Sequence, residues 1–86
     1  MDADKIKEYY NFNADLWRFT RERLESVQNT DYWWDESFKQ ANTILKKHEQ
    51  ALNEGYIREA IGAVLHELSR LCKEKELKDG QASIVG

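Results

Sequence analysis

The apolar positions of this chain fall into three blocks with the three- and four-residue spacing of a helix, separated by short polar stretches. The first block, residues 3 to 28, carries two stripes. Ile6, Tyr10, Trp17, Leu24 and Val27 form one, and Tyr9, Phe12, Leu16 and Phe19 form the other. The middle of this helix is therefore apolar over much of its circumference. One stripe faces the body of the domain; the second needs cover from the start of the next helix or from a partner chain. Asp2 or Asp4 stands at the beginning, where a carboxylate caps free N–H groups and suits the helix dipole.

Gln28, Asn29 and Thr30 break the period, and Asp31 or Thr30 then reads as the cap of a second helix over about 32 to 53. Its stripe is Trp34, Phe38, Ala41, Leu45, His48 and Leu52, widened by Trp33 and Ile44. The run Asn53-Glu54-Gly55 is expected to close it, with glycine taking the left-handed conformation, and so short a loop makes an antiparallel hairpin. A third helix over about 56 to 76 carries the broadest aliphatic face: Ile57, Ala60, Ile61, Val64, Leu65, Leu68, Leu71 and Cys72. Gly62 inside it costs about 1 kcal/mol relative to alanine, which predicts close approach of a backbone or a bulky ring, a tryptophan being the obvious one. Past Lys78 the helical period is lost, and residues 79–86 read as a flexible tail.

These elements specify an all-α three-helix bundle over residues 1–78, with helices two and three as an antiparallel hairpin and helix one packed across it. Trp34, Phe38, Leu45, Ile57, Ile61, Val64 and Leu68 are the expected centre. The absence of proline favours long helices with short connections, and 86 residues leave room for one core. A helical solenoid, which needs about three repeats, does not fit this length.

Composition narrows the chemistry. The net charge of −3 argues against generic nucleic-acid binding. A lone cysteine, Cys72, excludes an intramolecular disulfide and a multi-cysteine zinc site. A polar N-terminus without an apolar signal region, and no apolar run near the roughly 20 residues that cross a bilayer, lead to the expectation of a cytoplasmic protein without a membrane partner. His66-Glu67 begins like the zinc-protease helix motif, but the second ligand would fall on Arg70, so the motif fails. His48 is the only other histidine, and a site joining the two with a carboxylate requires distant helices to converge. Cys72 lies on the apolar face as a small hydrophobe. The acid pairs Asp35/Glu36 and Glu74/Glu76 suit a solvated face, and no glycine-rich phosphate loop is present. No residue is assigned to catalysis, a cofactor or a metal, no small-molecule substrate is implied, and the chain reads as non-enzymatic.

The aromatic content does suggest an interaction. Three Trp, four Tyr and three Phe are many rings for this length, and surplus Trp and Tyr are interface anchors where they are exposed. Tyr9, Phe12, Phe19, Tyr32 and Trp33 form the candidate surface for a protein partner or for self-association, on the ground that Trp34 is core while Trp33 and Tyr32 point about 100° and 200° away from it. The same rings could instead fill the domain's own core. The alternative is nucleic-acid binding through Arg18, Arg21 and Arg23, interleaved with Trp17 and Phe19 but neutralised locally by Glu22 and Glu25.

Asp31-Tyr32-Trp33-Trp34, followed by Ala41-Asn42, Lys46-Lys47, Tyr56-Ile57-Arg58-Glu59-Ala60-Ile61 and Leu65-His66-Glu67-Leu68, resembles small uncharacterised helical proteins encoded in phages and integrative elements of Gram-positive bacteria. The resemblance covers about residues 30 to 75. Relative to that pattern the chain carries several extra residues around His48 to Glu54. The resemblance implies an accessory protein of a mobile element and carries over no active residue.

Overall fold

Each helix begins with a polar side chain that satisfies a free backbone N–H. The Asp2 carboxylate accepts from Lys5 N at 2.8 Å, Thr30 Oγ1 accepts from Trp33 N at 3.1 Å, and Asn53 Oδ1 accepts from Tyr56 N at 3.1 Å. In the computed structural model these caps start α1 (Ala3–Glu25), α2 (Asp31–His48) and α3 (Glu54–Val85). The structure describes the backbone of residues 1–85 and the side chains of residues 1–76. Residues 79–86, expected as a tail, fall within the bounds of α3 up to Val85, and their side chains and Gly86 lie outside the described residues.

The second connection departs from expectation. Rather than running to residue 53, α2 ends at His48, whose carbonyl accepts from both Ala51 N and Leu52 N, and this turn buries Leu52. Gly55 is no left-handed terminator; it sits in the first turn of α3, where an added Cβ would come within 3.0 Å of the capping Asn53 Oδ1. Glycine leaves that cap its space. Among the described residues the left-handed position belongs to Asn29, with φ 52°, between α1 and α2. Its carboxamide oxygen accepts from Trp34 Nε1 at 2.8 Å and its nitrogen donates to Glu76, so one loop residue ties α2 to α3.

The three helices form an up-down-up bundle. Asp15 of α1 meets Lys47 and His48 at the end of α2, while Arg23 meets Trp33 and Ser37 near its beginning, so the two helices are antiparallel. Tyr9 and Phe12 pack on Tyr56, and Lys75 donates to the Val27 carbonyl at 2.9 Å, so α1 and α3 are parallel. Helix α1 thus lies along the α2–α3 hairpin. The core has two parts. Phe12, Phe19, Ala41, Ile44, Leu45, Leu52, Ile57 and Ile61 form the larger, and Trp33, Leu68 and Cys72 the smaller; Val64 and Leu65 pack against both.

The first two turns of α2 are one residue out of the expected phase, while Ala41, Leu45, His48 and Leu52 are buried as expected. Trp33, 4% exposed, enters the core, whereas Trp34 is half-buried and Phe38 is 53% exposed. One turn after Trp33 comes Ser37, fully buried, whose hydroxyl donates to the Trp33 carbonyl at 2.8 Å. A small residue there lets α1 approach closely enough for the Arg23 guanidinium to lie 5.5 Å from the Trp33 ring centroid. Trp34 stands edge-on to Trp33, with centroids 4.8 Å apart, and stacks on Phe38 at 5.7 Å, so the three rings step from core to surface.

Gly62 also departs from expectation: no tryptophan approaches it, and a Cβ there would meet nothing within 4 Å. Two stability measurements follow. In urea titrations Trp33→Ala should cost about 3–5 kcal/mol and Phe38→Ala about 1 kcal/mol or less, whereas the expected phase would reverse that order. Gly62→Ala should raise stability by about 0.5–1 kcal/mol, read as a higher thermal midpoint.

Candidate functional site

The two stripes of α1 have opposite fates. Phe12 and Phe19 are buried, and Tyr9 and Leu16 pack partly buried against the same core. The other stripe faces solvent: Ile6 is 56% exposed, Tyr10 71%, Trp17 59% and Leu24 43%. The rings proposed for a partner are therefore mostly spoken for. Phe12 is edge-on to both Tyr56 and His48 at 5.5 Å, Tyr9 is edge-on to Tyr56 at 5.4 Å, and Phe19 and Trp33 are core. Of that set only Tyr32, at the first turn of α2, is exposed.

At 100° per residue, Ile6, Tyr10, Trp17 and Leu24 fall within an arc of about 40°, so they form a straight line along α1 rather than a scatter. Ala3, Ala14 and Arg21 lie beside that line by the same geometry. Toward the C-terminal end Leu24 joins a groove of about 360 Å³ between α1 and α3, shared with Val27 and Leu71. Four large exposed apolar side chains aligned on one helix face are of the kind that marks interaction sites, in contrast to isolated exposed leucines.

Of the arginines named for nucleic acid, Arg18 and Arg21 line one shallow groove with Glu22 and Glu25, and Arg23 is turned away from it. Arg18 is held by Asp15 at 3.0 Å and Arg21 by Glu25 at 2.8 Å on the outer side of α1. Arg23 turns inward, donating to Ser37 Oγ at 3.3 Å and lying against Trp33, with its Nε buried and unpartnered. Its role is packing between α1 and α2.

The densest polar cluster is centred on Asp15, a residue that no motif in the sequence marks. Its carboxylate accepts from Lys47 Nζ at 2.9 Å, from His48 Nε2 at 2.7 Å and from Arg18 at 3.0 Å. Burial pushes the Asp15 carboxyl up, but the hydrogen bonds from Lys47 and His48 and the charges behind them outweigh it, and the net shift is downward from 3.8. The ionised carboxylate can only accept, so Nε2 of the buried His48 carries the proton between them. A groove of about 300 Å³ opens beside this cluster, between α1 and α2 and over Phe19 and Ile44. The available signal was angular: Asp15 lies within about 60° of Phe12 and Phe19, on the helix's buried side.

The remaining candidates stay apart. His66 is exposed on α3, away from His48, and no group of three potential metal ligands occurs among the described residues. Cys72 is buried; desolvation, then the nearby Glu76 carboxylate, push its thiol up, which keeps it protonated and unreactive. Glu74 is engaged by Arg70 at 3.0 Å and Glu36 by Lys39 at 3.8 Å, both on exposed faces. No helix among the described residues is long and apolar enough to cross a membrane.

Because the folded pKa of Asp15 is depressed, its contribution to stability is fully present above the ordinary value of 3.8 and is lost as pH falls through the lower, folded value. Asp15→Asn should therefore lower the urea midpoint at pH 6 by an amount equivalent to about 1–3 kcal/mol. The gap between the two proteins should close as both are titrated to strongly acidic pH.

No protein-family model matches this chain, and no curated protein or solved structure matches it either.

Proposed function

We propose that this protein is a non-enzymatic interaction module that binds a protein partner through the exposed face of α1. The observation that carries this reading is the alignment of Ile6, Tyr10, Trp17 and Leu24, all more than two-fifths exposed, on a helix whose opposite face is already packed. A tryptophan and a tyrosine on rigid helical backbone give a large contact area with little conformational entropy to lose on binding. The polar groups of the bundle support the same reading, since Asp15, His48, Arg23 and Cys72 are engaged in holding the helices together. An accessory role in a mobile element rests on the resemblance over about residues 30 to 75 alone.

A photo-crosslinking amino acid placed at Tyr10 tests the surface in the source cell. Protein adducts should form there and not from the same group at exposed Glu59 on α3. Irradiation that yields no protein adduct at position 10 would remove the proposal.

A further inference from the structure

We infer that the partner of the α1 stripe is a second copy of this chain, its α1 laid antiparallel on the first about a two-fold axis near Asp15 and Leu16. The inference rests on the interaction reading above and names the occupant. It starts from a repeat in the exposed face. Ile6 and Leu24 are about five helical turns apart and share one line along the helix, and Lys7 and Glu25, one residue on, share the next. An antiparallel two-fold exchanges the ends of a helix. Residues 6 and 7 of one copy then lie against residues 24 and 25 of the other, so that Ile6 meets Leu24 and Lys7 meets Glu25 at both ends of the interface.

The same register orders the middle. Tyr10 of each copy comes opposite Arg21 of the other, a cation over an aromatic face, and Trp17 comes opposite Ala14, a large ring over a small residue. Arg21 pairs with Glu25 at 2.8 Å, beside the stripe. A parallel pair has none of these matches, because it puts Tyr10 on Tyr10, Trp17 on Trp17 and Arg21 on Arg21. It also turns Lys7 and Glu25 toward the other flank of the stripe, where Asn13 and Thr20 carry no charge.

The area is sufficient for a dimer of moderate strength. Large aromatic side chains bury about 150–250 Å² each, so the exposed parts of the four stripe residues amount to on the order of 400 Å² per copy. The stems of Lys7, Arg21 and Glu25 and the methyl groups of Ala3 and Ala14 extend this toward the roughly 600–800 Å² per partner of a small specific interface.

Light scattering during size-exclusion chromatography, with sedimentation equilibrium, tests the inference on the full chain. The mass should rise from monomer to dimer below about 1 mM, and a monomer throughout that range overturns it. Trp17→Asp and Tyr10→Asp should each give a monomer with unchanged helical circular dichroism; dimers that survive both would place the interface elsewhere and overturn it as well. Lys7→Glu and Glu25→Lys should each weaken the dimer about three- to tenfold through two symmetry-related pairs, and the double exchange should restore it. A double exchange that fails to restore it rules out the antiparallel register. Crosslinks from position 10 to a different protein, together with a strictly monomeric chain, would overturn self-pairing while leaving the interaction reading in place.

Discussion

Everything in this bundle depends on which of two adjacent tryptophans goes inside. Neighbouring residues on a helix point about 100° apart, so α2 can seat only one of Trp33 and Trp34 at full depth. It seats Trp33, against Leu68 and Cys72 of α3 and beneath Arg23 of α1. With Trp33 inward, Ser37 follows it into the interior one turn later, and the stripe continues into Ala41, Ile44, Leu45 and His48. Trp34 is left at the edge, where Asn29 holds its indole nitrogen, and Phe38 turns to solvent. The side chains around Trp33 explain the choice: a fully buried serine one turn later leaves room for the arginine, where phenylalanine in that place would push α1 away.

At the opposite end the bundle is joined by charge as well as by packing. Phe12 sits between His48 and Tyr56, and Asp15, just above it on α1, gathers Lys47 and His48 from the end of α2. Cations at a helix C-terminus are favoured by the dipole, and here they also neutralise a carboxylate that has lost much of its water. A short aspartate in this position fixes the register of α1 on α2 at one end as Arg23 does at the other.

The exposed line on α1 then follows from the fold rather than standing apart from it. A helix with two apolar stripes, packed by a two-helix hairpin on one side only, must leave one stripe in water. Its position along a single rigid helix makes it a linear surface, and reversing it sets Tyr10 against Arg21, Ala14 against Trp17 and Lys7 against Glu25. Such self-complementarity on reversal is what an isologous contact requires.

Much of this was legible in the residues alone. Three helices, their order and the composition of the α3 face followed from period and capping: of the paired cap candidates Asp2 and Thr30 serve, and Ile57, Ile61 and Leu68 are buried as expected. Period cannot choose between neighbouring phases when both are apolar. Trp33 and Trp34 satisfy a core position equally well in sequence, as do the two stripes of α1, because a hydrophobic pattern records which residues can be buried and says nothing of what stands opposite. The choice was made by shape and charge across helices: Ser37 admitting Arg23, Asp15 meeting the end of α2, and Tyr56 closing over Tyr9 and Phe12. Sequence alone determined that α1 carries two apolar stripes, the second to be covered by the start of the next helix or by a partner chain. Only the tertiary structure decided that Ile6, Tyr10, Trp17 and Leu24 are the residues left uncovered, because contacts between residues far apart in the chain carry that decision.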